Sequence, residues 1–181
     1  MQNIKRDIYL QRLKDREQNG LVKIVTGIRR CGKSYLLNTL FYEYLKEKGV
    51  KDNHIIKISL DDDENSDLLL PKALSRHVKN LIVDDELYYV LLDEIQLADN
   101  FVGVLNGLLK LPNVDIYVTG SNSKFLSTDI VAVVATKSAF CRYRFPSLCL
   151  FIMVHLYRGG KNITLTVGFP LFSRKKAKKQ K

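Results

Sequence analysis

Gly27-Ile28-Arg29-Arg30-Cys31-Gly32-Lys33-Ser34 has the spacing G-x-x-x-x-G-K-[ST]. This is the phosphate-binding loop pattern. Glycines let the backbone turn tightly and aim several N–H groups at one point. A helix starting there adds the positive end of its dipole. Lys33 supplies a point charge for outer phosphates, and the Ser34 hydroxyl a ligand for Mg²⁺. Gly27, Arg29, Arg30, Cys31 and Gly32 complete the candidate cradle. The flanks fit. Leu21–Thr26 is a β-branched apolar run of strand length. Leu36, Leu37, Leu40, Phe41, Tyr44 and Leu45 recur at helical spacing after the loop, and Gly49 is a stop signal.

The same alternation continues along the chain. Residues 4–16 read as an N-terminal helix with Ile4, Ile8, Leu10 and Leu13 apolar, ended by Asn19-Gly20. His54–Leu60 reads as a second strand. Asp61-Asp62-Asp63-Glu64 follows as an acidic run, either a cation site or a solvated loop. Residues 73–83 read as a helix with Leu74, Val78, Leu81 and Ile82 inward. Tyr88–Glu94 is a strand without alternation, hence buried on both faces. A helix over Phe101–Leu109 and a strand over Asp115–Thr119 follow. Strands alternating with helices predict an α/β three-layer sandwich with a parallel sheet.

The composition divides the chain. Its 181 residues are 46% hydrophobic, enough for one ordinary domain with a core. The net charge is +10, but residues 1–129 carry 18 basic and 19 acidic side chains. Residues 130–181 carry 11 basic side chains and no acid. The expected organisation is an N-terminal helix at 1–20, a core at 21–129 and a basic tail at 130–181. Three cysteines without framework spacing predict a reduced, cytoplasmic setting. No apolar run reaches the ~18 residues of a membrane span, and the first residues hold no signal core.

The third strand supplies the second half of a site. In this fold class ligands sit beyond the carboxyl ends of the strands. Asp93 is positioned there to hold Mg²⁺ and Glu94 to orient or deprotonate an attacking water. Asn122, past the fourth strand, is a candidate sensor of the outer phosphate, with Ser121 the competing choice.

At these residues the chain resembles the predicted AAA+ superfamily ATPases of bacteria and archaea, in which an ATPase domain often precedes a C-terminal domain of unknown function. "IVTGIRRCGKSYLL", "YYVLLDEIQ" and "YVTGSNSKFLS" carry the resemblance, over residues 4–129. It implies a P-loop NTPase fold with strand order 5-1-4-3-2. It implies ATP and Mg²⁺ as ligands, with Lys33 and Ser34 at the phosphates and metal, Asp93 at the metal, Glu94 as base and a sensor at Ser121 or Asn122. Beyond residue 129 the resemblance ends. The family's "FRGR" segment is missing, and its fifth strand is in doubt. Without a substitute, Leu21–Thr26 would be an exposed apolar edge. Ser147–Tyr157 is a candidate replacement. Arg142 and Arg144 lie in this atypical part, with no spacing that ties them to the site. The tail is consistent with a shifted reading frame, a truncated gene copy or plain divergence.

The leading functional expectation is ATP hydrolysis that drives a conformational change or a partner, in a homo-oligomer or with another protein. The alternatives are a nucleotide-binding remnant with little turnover and a polyanion or nucleic-acid binder acting through the tail. The last rests on Lys and Arg alone, without a recognition motif. Cys31 is either a small residue suited to the turn or a thiol activated by the helix terminus.

Overall fold

The computed structural model of the chain describes residues 7–27, 29–121, 138–142 and 153–154. Among the described residues six strands form one sheet: β1 (Val22–Gly27), β2 (Ile55–Ser59), β3 (Tyr88–Asp93), β4 (Val114–Ser121), β5 (Ser138–Arg142) and β6 (Met153–Val154). Their spatial order is β2-β3-β4-β1-β5-β6. The first five run parallel and β6 is antiparallel to β5. The helices are α1 (Asp7–Lys14), α2 (residues 33–47), α3 (Pro71–Leu81) and α4 (Phe101–Leu108).

Alternation along the buried strands divides the core in two. Ile24, Val90, Leu92, Ile116 and Val118 face α3 and α4, where they meet Leu74, Val78, Phe101, Val104 and Leu108. Val25, Tyr89, Leu91 and Tyr117 face the opposite way and meet Leu13 of α1 and Leu36, Leu37, Phe41 and Leu45 of α2. This is the expected three-layer sandwich. All six residues of β1 and of β3 are buried, as an interior parallel strand requires.

Local differences have plain causes. Ile8 of α1 is exposed, because the helix faces the core with Leu13 and, in part, with Tyr9 and Leu10. α3 begins two residues earlier than expected because Pro71 suits a helix's first position, where no N–H is needed. It therefore stops at Leu81, which lies 42% exposed rather than inward. The acidic run forms no metal cluster. Asp61 to Glu64 are exposed and lead into a short 3₁₀ segment, Asp63–Leu69.

A fifth strand is present where the sequence left one in doubt. β5 occupies the place beside β1, with Val22 opposite Ser138 and Thr26 opposite Arg142. Leu21–Thr26 is thus no open edge, and Ser147–Tyr157 is not the strand that covers it. Of that stretch, Met153–Val154 lies one place further out. The register also sets the Arg142 backbone next to the strand end that feeds the loop.

α2 has an uncommon middle. Lys33–Tyr35 and Tyr42–Glu47 are α-helical, and Leu36–Phe41 between them is a π segment. Such wide turns recur near functional sites. Phe41 ends the segment fully buried, its ring 4.4 Å from that of Tyr117 and 6.5 Å from that of Tyr89.

At the amino ends of the strands the core carries a charge pair. Lys23, 1% exposed, is ion-paired with Asp115. Asp115 also accepts hydrogen bonds from the Tyr117 hydroxyl and the Gln18 backbone N–H, both at 2.9 Å. Burial pulls the Lys23 ammonium below its ordinary 10.5, and Asp115 opposes the shift. Asp115→Ala leaves that ammonium buried without its carboxylate, at a cost of about 3–5 kcal/mol. Urea denaturation should show this loss, with part of it recovered in the Lys23→Met, Asp115→Leu double variant. An unchanged midpoint in Asp115→Ala would mean that the pair does not contribute to stability.

Candidate functional site

The loop between β1 and α2 turns on two left-handed residues, Arg30 (φ 63°) and Gly32 (φ 86°). Glycine takes that conformation freely, whereas arginine takes it at some cost. Together they reverse the chain sharply enough for the helix to start at Lys33. Gly27, at the end of β1, lies opposite Ser121 at the end of β4. Arg29 and Arg30 are exposed, and Ile28 lies outside the described residues. Cys31 is 4% exposed and belongs to the cluster of Leu36, Leu37 and Phe41, as a small turn residue would.

Two adjacent acids at the end of β3 meet the loop from the other side. Lys33 is buried, and its Nζ lies 3.5 Å from Glu94 Oε1. The other carboxylate oxygen of Glu94 accepts a hydrogen bond from the Gln96 amide. Glu94 has a left-handed backbone, φ 52° and ψ 44°, fixed by its N–H donating to Thr119 Oγ1 at 3.0 Å. That turn swings Glu94 away from the strand direction that Asp93 still follows.

Asp93 is 2% exposed. Its Oδ1 accepts from the Thr119 hydroxyl and its Oδ2 from Asn38 Nδ2 at 3.1 Å. Ser34, on the first turn of α2, is a further hydrogen-bond partner of this carboxyl group. Burial pushes the Asp93 carboxyl above its ordinary 3.8. The bonds to Thr119 and Ser34 oppose the shift, and the nearby Glu94 and Asp61 carboxylates add to it. A carboxyl group in this state lacks compensating positive charge, and a divalent cation beside Ser34 would supply it.

The structure thus brings Lys33 to Glu94 and Ser34 to Asp93, four of the residues singled out by spacing. Ser121 is half-buried at the end of β4, and Asn122 lies outside the described residues. Sequence reasoning missed three contributors. Thr119 links both acids through one hydroxyl, Asn38 reaches Asp93 from α2, and Gln96 holds Glu94. Asn38 interrupts an apolar helix face four residues after Ser34, which is a readable signal. Thr119 looks like an ordinary strand residue.

A family profile described as "AAA domain" matches residues 19–148. The chain belongs to this AAA-domain family. Two relatives carry the description "uncharacterized protein". One, from Haemophilus influenzae, is 29% identical over 133 residues, covering 73% of this chain and 33% of its own length. The other, from Methanocaldococcus jannaschii, is 33% identical over 135 residues, covering 70% of this chain and 26% of its own. The AAA-domain chain described here therefore spans about a third or less of the relatives it matches. Among solved structures, a DNA polymerase III gamma subunit-related protein from Thermotoga maritima superposes with TM-score 0.52 at 15% identity, covering 77% of this chain and 46% of that one. A DNA replication initiation factor superposes with TM-score 0.50 at 18% identity, covering 78% and 47%. At such identities the likeness shows a shared AAA-type P-loop fold, a fold that fits nucleotide binding.

Proposed function

We propose that the chain is a Mg²⁺-dependent ATPase. The observation that supports this most is the meeting of loop and strand end, with Lys33 beside Glu94 and Ser34 beside Asp93. A loop alone would bind phosphate. A second carboxylate, held apart from the metal-side acid by its own backbone turn, adds the group that hydrolysis needs.

In this reading the backbone N–H groups of residues 29–34 and the Lys33 ammonium hold the phosphates. Ser34 and Asp93 hold Mg²⁺, with Asn38 and Thr119 fixing the Asp93 carboxylate. Mg²⁺, when bound, neutralises charge building on the phosphate oxygens. Arriving phosphates draw Lys33 away from Glu94. The released carboxylate, still held by Gln96, is then placed to accept a proton from water. Asn122 or Ser121 would sense the outer phosphate.

Hydrolysis would drive a conformational change or act on a partner, a second copy of the chain or another protein. The remnant alternative rests on the lost carboxyl half with its absent "FRGR" segment, although a strand, β5, does lie beside β1. Among the described residues no helix is long and apolar enough to cross a membrane.

The direct test is calorimetric ATP binding and phosphate release, each with and without Mg²⁺. Metal-dependent binding with turnover supports the reading. Binding without any turnover leaves the remnant reading, and no binding removes both.

A further inference from the structure

Between α3 and α4 runs an open groove of about 550 Å³. Lys72, Arg76 and Lys79 line one wall at helical spacing, all exposed. No ion pair among the described residues involves any of the three. Asn80 and Asn100 add amide groups, and buried Val104 gives an apolar floor. Neither a carboxylate nor an aromatic ring is among the lining residues. This concentration of positive charge lies within residues 1–129, whose overall charge is close to balanced.

We infer that this groove docks an acidic peptide segment of a protein partner in extended conformation. The spacing supports an extended chain. A helix rises about 1.5 Å per residue, so Lys72 and Arg76 are about 6 Å apart along the axis and Arg76 and Lys79 about 4.5 Å. Alternate side chains of an extended peptide lie about 6.6 Å apart on one face. Carboxylates at alternate positions therefore meet successive cations, with Arg76 able to take one in a forked pair. The amides of Asn80 and Asn100 match a peptide backbone, which offers both donors and acceptors. Nucleic acid fits less well, because single strands use aromatic stacking platforms and duplexes a larger number of phosphate contacts. One wall of the groove, α4, follows Glu94 in the chain after the short 3₁₀ segment Ile95–Leu97.

The test uses the full chain and a fluorescein-labelled peptide of alternating Glu and Thr, read by anisotropy at low salt. Saturable binding below roughly 1 mM is expected. Arg76→Glu should weaken it by about tenfold or more, since it turns an attraction into a repulsion. The residue is exposed, and an unchanged thermal melt would show the fold intact. Reversing tail charge with Lys175→Glu, Lys176→Glu and Lys178→Glu should change the affinity by less than about twofold when the groove itself carries the binding. Absence of saturable binding, indifference to Arg76→Glu, or loss through the tail variant would each overturn the proposal. So would tighter, Arg76-dependent binding of a single-stranded oligonucleotide of equal charge.

Discussion

Lys33→Ala is expected to weaken Mg-ATP binding by about 10²-fold or more. The argument is electrostatic. Lys33 is buried at the start of α2, so its ammonium acts with little solvent screening. Each hydrogen bond from a charged group is worth about 1.5–3 kcal/mol, and about 2.7 kcal/mol is already a hundredfold. The fold should tolerate the change. Glu94, the partner that loses its cation, is about one-fifth exposed and keeps its bond from Gln96. Titration calorimetry on variant and parent, each checked by thermal melt, measures the effect. Equal affinities with intact folds would remove Lys33 from the phosphate site and with it the proposed function.

Glu94→Gln should separate binding from chemistry. The amide keeps the length of the side chain and can no longer take a proton. Phosphate release in a single turnover should fall by about 10²–10⁴-fold, the usual worth of a placed general base. Affinity should hold or rise, because Lys33 no longer has a carboxylate 3.5 Å away competing with the phosphates. Turnover at the parent rate would exclude Glu94 as the base. Slow turnover with equally weakened binding would instead assign it a structural part.

What the sequence disclosed follows physical range. The loop, its strand and its helix are contiguous, so spacing and periodicity were sufficient to read them. Asp93 and Glu94 were readable because two acids after five buried apolar residues have no place in a core. β5 was not readable in this way. Its residues Ser138–Arg142 follow another apolar run, Val131–Val134, and only the free side of β1 selects between them. That choice is made across more than a hundred residues of chain, beyond any local pattern. Thr119 was hidden because a β-branched hydroxyl residue suits a strand equally well with or without a task. Leu81 was misread because period alone does not say where a helix stops.

The backbone at Glu94 ties the proposed chemistry to the fold. A non-glycine residue at φ 52° carries strain on the order of 1 kcal/mol. Glycine would relieve that strain but leave the buried Lys33 ammonium without its carboxylate, the larger cost, so Glu94→Gly should lower the melting temperature of the empty chain. A search for sturdier variants would therefore keep the glutamate. Its persistence would record the needs of the empty fold as much as those of the reaction.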